Sequence, residues 1–591
     1  MDPVDHTLYL PLSSPTAIRT LKVLQRPPGS SEPISCELEE VSLEHSPSYA
    51  ALSYTWGPPS ELAAALGMTA ERTHQIVCNN SPLLVTQNLH DFLLQFIEMG
   101  DDDVQQRLWI DAICINQEDD AERASQVSLM TNIYRGASRV IAWLGVEDEW
   151  TKEGFEDMRM LASCEEEDIS PYDPRVLGRM GMDCVFTMRS YFSRAWIVQE
   201  VVLARRIVLQ CGPYSIPWDD AVRAVRKRSS PSLALIFPRV MRGDTGRSIP
   251  ERWEAERSVK TRSLLRALAL LRRFDAKDQR DKVYAALGIV LDGTESGLSR
   301  KRLINPVYGS RSVAETYLDA ARVILGQPSS HGGGISLLTF AGGDKSQHVL
   351  GLPSWVPDWS ITKDLGVCYA AYDKFDASKG LPSAALSYNE PPGNLKLTLS
   401  GVRFDNIVAV GESKDKVHGG QASIGSWISI LDMMPEIYHT GQNRIETFWR
   451  TLVTDVAGDP PTHPAPPQYA SHFRRWIGDQ SRELPKPLLA TFRCPNDVPF
   501  QPGAFQAAYV RARYQRLFLT AGGYIGLSSE STLVGDVVWF VQGSRTPLIL
   551  RGRSDDGVES REWSVVGGGY LHGAMHGEAV QGRDLTDAVI I

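Results

Sequence analysis

None of the eight cysteines stands in a CxxC pair, so neither a zinc ribbon nor a redox motif is encoded. They lie scattered at 36, 78, 114, 164, 184, 211, 368 and 494 of 591 residues. Thiols this sparse are expected to stay reduced. No stretch approaches the roughly 20 uncharged apolar residues that cross a bilayer. The most apolar windows, such as Val140 to Gly145 and Ser263 to Leu271, are short or carry charge. The opening MDPVDHTLYLPL lacks the basic n-region and apolar run of a secretory signal. An excess of basic charge is missing too: 61 Lys+Arg face 71 Asp+Glu, a net charge of −10, which does not suit a general nucleic-acid binder. Neither GxGxxG nor GxxxxGK[ST] occurs in a strand-to-helix context, which removes the dinucleotide fingerprint and the P-loop. These absences predict an intracellular, cytoplasmic protein with no membrane span, no nucleic-acid partner and no cofactor.

What is present is a chain of near-average globular composition, 42% apolar and 22% charged, with 14 Trp. Its length suits about three or four folding units. The clearest strand–helix alternation fills the first 215 residues. Arg107 to Ile115 (RLWIDAICI) has strand length and is interrupted by one acid, Asp111. Asp119 to Tyr134 reads as a helix, with acids in the first turn and Ala124, Val127, Met130 and Ile133 at helical spacing. Gly136 is placed to stop it, and Arg139 to Leu144 returns as a strand. Ala195 to Ala204 reads as a helix and Arg206 to Gln210 as a further strand. Strands separated by such helices imply βαβ units and a parallel, covered sheet.

The pattern then changes. Arg257 to Ile289 is helical, with Leu264, Leu268 and Leu271 on one face. It carries a mixed-charge run from Arg272 to Lys282, read as a solvated helix end laced with ion pairs or, more sharply, as a contact between domains. Gly and Ser between Gly326 and Gly351 mark a loop or boundary, and Pro460 to Pro467 marks a linker or surface loop. From about Leu395, short β-like runs (LKLTLSGV, DVVWFVQG, PLILRG) alternate with turns. The expected organisation is an α/β domain over 1–215, a mainly helical middle over 216–394 and a β-rich module over 395–591.

Three segments together resemble the fungal heterokaryon-incompatibility (HET) domain: Tyr49 to Gly57 (YAALSYTWG), Leu108 to Gln117 (LWIDAICINQ) and Tyr191 to Val201 (YFSRAWIVQEV). Their order and spacing match the family as well. Ile34 to Leu43, Asp281 to Gly288, Leu352 to Trp359 and Gly535 to Glu578 resemble its other elements, so the likeness covers most of the chain. The resemblance implies a flavodoxin-like α/β arrangement similar to Toll/interleukin-receptor (TIR) domains. It also implies a role in non-self recognition and programmed cell death, or recruitment among secondary-metabolism enzymes.

Asp111 is the first candidate for chemistry. Ligands bind outside the carboxyl ends of parallel strands, where Asp111 with the amides of Asn116 and Gln117 would present an acid and two polar groups. The plainer reading is a structural acid held by loop amides or an Arg. Glu200 is a conceivable counterpart of the glutamate with which some TIR domains cleave NAD; its plainer role is an ion pair with Arg194 or Arg205. Tyr54 and Trp56 are candidate binding residues or packing anchors under Gly57. Ser53 lacks the GxSxG frame of a nucleophile and reads as a strand-end residue whose hydroxyl satisfies backbone groups. His572 and His576 stand at i, i+4, but Gly573 and its neighbours argue against a ligand-bearing helix, so no metal site is expected.

Three functions remain open from the sequence. The first is an incompatibility factor acting with a protein partner. The second is a biosynthetic enzyme, a cyclase or a pericyclase such as a Diels-Alderase, acting on a small-molecule terpenoid or polyketide substrate. The third is NAD hydrolysis by analogy with TIR domains. Whether the chain is catalytic, and its oligomeric state, are not encoded in any motif.

Overall fold

The computed structural model describes residues 8–26, 32–99, 106–165, 173, 175, 179–228, 263–290, 304–326, 334–342, 348–363, 374–382, 395–458, 462–480, 504–553 and 562–591. Nine strands form the N-terminal sheet: β1 (Ala17–Val23), β2 (Ser35–Ser42), β3 (Ala50–Ser53), β4 (Arg72–Cys78), β5 (Ser81–Thr86), β6 (Leu108–Trp109), β7 (Arg139–Trp143), β8 (Ile207–Cys211) and β9 (Tyr214–Pro217). Their spatial order is β5-β4-β2-β1-β6-β3-β7-β8-β9.

The expected parallel pairing is found at the centre of the sheet and between β2 and β4. β6, β3, β7 and β8 run parallel to one another, and β3 is buried at all four positions, as a strand covered on both faces must be. The other flank pairings are antiparallel, so the sheet is mixed: β1 pairs antiparallel with β2 and β6, β4 with β5, and β8 with β9. Tight turns dictate this. Asn79 and Asn80 join β4 to β5 with φ of 48° and 64°, the left-handed pair of a two-residue hairpin, which can only return antiparallel.

The expected strand over Arg107 to Ile115 is overturned. Only Leu108–Trp109 is extended, and the chain then coils into the helical turn Asp111–Cys114. Ile110 O accepts from Ile113 N and Cys114 N at 3.0 and 2.7 Å, closing that turn. A short buried turn and a short buried strand carry the same apolar run, so periodicity does not separate them. The helix Asp120–Gly136 begins on the Asp119 side chain, which accepts from Ala121 N and Glu122 N, one residue after its expected start. The helix Ala195–Leu203 follows the expected span closely.

The helix expected over Arg257 to Ile289 is broken into Leu264–Leu271 and Asp281–Leu287, while 257–262 lie outside the described residues. The mixed-charge run between the two pieces is only partly the expected solvated, ion-paired stretch: Asp275 and Lys277 are exposed and Arg280 pairs with Asp278 at 2.6 Å, whereas Arg272 and Lys282 pack into a buried corner. Arg272 is 1% exposed and donates to Ile361 O, Phe340 O and Asp358 O, each at 3.1 Å. Lys282 is buried beside it, donating to Arg272 O at 3.0 Å and to Phe274 O. Burial pulls the Lys282 ammonium down to about 8. Both cations satisfy carbonyls that the chain reversal would otherwise strand away from water. The segment Gly334–Phe340, inside the expected 326–351 loop, is a buried 3-10 run, and 327–333 and 343–347 lie outside the described residues. Of the Pro-rich stretch, 460 and 461 lie outside as well.

The β-like C-terminal runs form β10 (Leu397–Ser413), β11 (Gln515–Thr520), β12 (Ile525–Ser529), β13 (Val537–Val541), β14 (Leu548–Gly552), β15 (Glu562–Leu571) and β16 (Thr586–Ile590). Their order is β11-β12-β15-β14-β13-β10-β16, and β10 also pairs with β11, which closes the sheet on itself. All pairings but β15–β16 are antiparallel. Closure removes the open edges that invite aggregation. The largest core is continuous across the chain, joining Trp109 and Trp143, Leu268 and Tyr317, Trp355, and Trp539 of the closed sheet.

Arg272→Met should lower unfolding stability by about 3 kcal/mol, because three buried carbonyls lose a charged donor. Denaturant unfolding measures this, and a loss under about 1 kcal/mol contradicts the assigned role.

Candidate functional site

The three HET-like segments meet at the carboxyl end of β3. Ser53 ends that strand, and Tyr54 to Gly57 continue from it. Asp111 opens the turn after β6, the parallel neighbour of β3. Arg194 and Glu200 lie at the start and in the body of the helix Ala195–Leu203. Parallel pairing places the ends of β3 and β6 side by side, and so two remote stretches of sequence share one pole of the sheet.

Each side chain then has a defined partner. Trp56 Nε1 donates to Asp111 Oδ2 at 2.9 Å, and Ala112 N donates to Asp111 Oδ1 at 2.7 Å. Gln117 Nε2 donates to the backbone oxygen of Asp111 at 2.8 Å, fixing the turn. Glu200 is buried and accepts a short hydrogen bond from Ser53 Oγ. With the single Ser53 proton directed there, the Tyr191 hydroxyl, 2.8 Å away, donates to Ser53 Oγ. Arg194 Nη1 lies 3.8 Å from Glu200 Oε2 and makes no hydrogen bond. The Tyr54 hydroxyl, in a residue 2% exposed, also has no partner.

The electrostatics follow from burial. Loss of water pushes both the Asp111 and the Glu200 carboxyl above their ordinary values, against the pull of Arg194 on each. Burial alone would lower the Arg194 guanidinium, yet Glu200 and Asp111 together hold it above its ordinary value. Burial also raises the Tyr54, Tyr134 and Tyr191 hydroxyls, which therefore stay protonated. Two carboxylates thus share one guanidinium in a low-dielectric pole, an arrangement that favours retaining one proton between them. Chemically, it can hold a proton and pass it along the Glu200–Ser53–Tyr191 line.

Of the residues singled out by sequence, Asp111, Glu200, Tyr54 and Trp56 come together here. Asn116 does not. Its amide nitrogen donates to Glu122 Oε1 at 2.7 Å and its side chain accepts from Glu118 N at 3.2 Å, beside the Arg19–Glu122 ion pair. Gln117 reaches the site only through the Asp111 backbone. Ser53 is corrected: its hydroxyl serves side chains, not backbone groups, because the strand end faces a buried carboxyl. Of the two partners expected for Glu200, Arg194 is the one in ion-pair range. Sequence reading missed Tyr191 and Arg194 as functional candidates, although both stand inside YFSRAW. It also missed Asn88, which is buried on the apolar face of Gln87–Glu98. Asn88 Nδ2 donates to Thr55 O at 2.7 Å, and Trp143 Nε1 donates to Asn88 Oδ1 at 3.0 Å, pinning the Tyr54–Trp56 segment. One buried amide among Leu89, Phe92, Leu93 and Phe96 was the available signal.

The site is tied to the rest of the chain through the residues flanking Arg194. Asp275 N donates to Ser193 O at 2.5 Å and Ala195 N donates to Asp275 O at 2.8 Å, joining the third segment to the Arg272 corner. Gly288, which follows the helix Asp281–Leu287, packs against Gln199 of the helix Ala195–Leu203, where a Cβ would sit 2.2 Å from the Gln199 side-chain amide.

The histidines of the C-terminal module take separate partners. His572 pairs with the Tyr570 hydroxyl at 2.8 Å and Gln442 Oε1 at 2.6 Å, whereas His576 Nε2 faces His463 Nε2 at 2.9 Å. Among the described residues no group of three or more His, Cys, Asp and Glu is arranged to hold a metal ion. None of their helices is long and apolar enough to cross a membrane.

Glu200→Gln should gain stability relative to the parent chain as pH rises. The raised carboxyl costs nothing below about pH 4.5, where it is protonated whether folded or unfolded. The cost of ionising it in the fold grows as pH climbs from there through its raised folded value. Thermal unfolding of both proteins between about pH 4.5 and 8 measures this, and a pH-independent difference refutes the raised value.

Comparison with known proteins accords with this geometry. Residues 49–200 match the family model described as "Heterokaryon incompatibility protein (HET)", which spans all three converging segments. Residues 499–591 match that of the "Het-6 beta-barrel domain", which covers β11 to β16. The chain is 23% identical to "Heterokaryon incompatibility protein 6, OR allele" of Neurospora crassa, an alignment covering 97% of this chain and 96% of that one. No solved structure matches it. With the three HET-like segments gathered at one buried pole and the barrel-domain match falling on the closed sheet, the chain is similar from end to end to a heterokaryon incompatibility protein.

Proposed function

We propose that this chain is an incompatibility factor, which registers a non-self protein partner in the cytoplasm and commits the cell to death. The observation that carries this reading is the end-to-end likeness to a heterokaryon incompatibility protein, 97% of one chain against 96% of the other. A shared HET module alone would support a much weaker statement, because one module serves many functions. In this reading the organisation is a TIR- or flavodoxin-like effector domain over 1–215, a helical coupling region over 216–394 and a β-rich partner-reading module over 395–591. The four parallel central strands support the flavodoxin-like assignment. Asp111 and Glu200 form the working pair of the effector, with Arg194 as their shared counter-charge and Tyr54 and Trp56 as the groups that hold or contact what approaches them. The hydrogen bonds at Asp275 give a route by which the middle region alters the Arg194 position.

Induced expression of the full chain in a filamentous fungus should arrest growth. Asp111→Ala and Glu200→Ala should relieve the arrest at equal protein level, read by colony extension and vital staining. Normal growth on expression of the parent chain, or undiminished arrest with both variants, overturns the reading.

A further inference from the structure

A cavity of about 500 Å³ opens where the middle region meets the closed sheet, lined by His348, Ile361, Thr362, Lys363, Glu412, Ser413, Lys416, Arg516 and Glu530. Its volume lies within the range of small-molecule sites, about 300–1,000 Å³. Its chemistry is that of unfilled donors. Ser413 is 4% exposed and its buried hydroxyl has no hydrogen-bond partner, although Ser413 precedes the helix Lys414–His418 where a serine ordinarily caps. Arg516 spends Nε on Gly411 O at 2.8 Å, and Nη1 on Thr532 O at 3.0 Å and Glu530 O at 3.3 Å, which leaves Nη2 without a bond. Lys363 Nζ stands 3.5 Å from Glu530 and Lys416 Nζ 3.8 Å from Glu412. Both separations exceed the roughly 2.8 Å of a close charge-assisted bond.

We propose that this cavity binds a small phosphorylated molecule whose uncharged part carries hydroxyl or amino groups. Lys363, Lys416, Arg516 and Ser413 all line this one cavity and would supply the donors, a set suited to the several oxygens of one phosphoryl group. Glu412 and Glu530 accept from the hydroxyl or amino groups of the remainder, and they disfavour a ligand that is anionic throughout. Arg516 is held in place by three carbonyls before any ligand arrives, so its free nitrogen is preorganised. The ligand would bridge two regions. Ile361 lines the cavity and its carbonyl is one of the three that hold Arg272, so occupancy would brace the corner that adjoins Asp275 and the Arg194 segment. The site is distinct from the Asp111–Glu200 pole and does not depend on the incompatibility reading.

Isothermal titration of the full chain with ribose 5-phosphate, inorganic phosphate and ribose tests the assignment. Ribose 5-phosphate should bind, inorganic phosphate more weakly and ribose not at all. Lys416→Glu and Lys363→Glu should each weaken ribose 5-phosphate binding by about tenfold or more, the effect of reversing a contacting charge. Both ammonium groups are half exposed, so thermal unfolding without ligand should not move. Ser413→Ala should weaken binding while leaving the same unfolding curve. The proposal is overturned if ribose 5-phosphate gives no heat at about 10 mM, if ribose binds as well as its phosphate, or if the charge-reversed variants bind as the parent does.

Discussion

Everything at the N-terminal pole depends on one constraint: Asp111, Arg194 and Glu200 are placed where water is largely excluded. An isolated charge there would be prohibitively costly, so each must be answered by a partner. The answers come from three distant stretches: Trp56 and Ala112 on Asp111, Ser53 on Glu200, and Arg194 between the two carboxyls. Satisfying the charges therefore assembles the site. The parallel centre of the sheet makes it possible, because only parallel neighbours bring the ends of β3 and β6 together at one edge.

The same logic recurs at the junction with the middle region. Arg272 and Lys282 are buried cations whose partners are backbone carbonyls from remote turns. That corner adjoins the Arg194 segment through Asp275, and the cavity at Ile361 adjoins it from the other side. Polar contacts through Asp275 and Arg272 thus connect the HET pole to Ile361, which lines the cavity beside the closed sheet.

Legibility in the sequence varied with the kind of information each residue carries. The helix Asp120–Gly136 and the strands β7 and β8 could be read, because capping and apolar periodicity are local properties. The turn at Asp111–Cys114 could not, since four residues of which two are buried look alike as strand or helix. Asp111 and Glu200 stood out as acids in apolar surroundings, but Arg194 and Tyr191 did not, for an arginine beside an aromatic is ordinary in a surface helix. Asn116 was misplaced because adjacency in sequence says little about which way a loop side chain turns. The charged run at Arg272 looked solvated, because composition cannot report that a chain reversal leaves carbonyls needing donors.

The lack of CxxC pairs, long apolar runs and nucleotide-binding glycine loops narrowed the class of protein, and three short segments carried its likeness to the HET family. Those are properties of residues in order along the chain, and the sequence alone determined them. Which charges meet, where the flanks of the sheet turn antiparallel, and where the closed barrel leaves donors unanswered were decided only in three dimensions. The physical reason is that a buried charge is stabilised by whichever group reaches it through space, and that group is commonly some 80 to 150 residues away, as Ser53 is from Glu200 and Arg272 from Ile361.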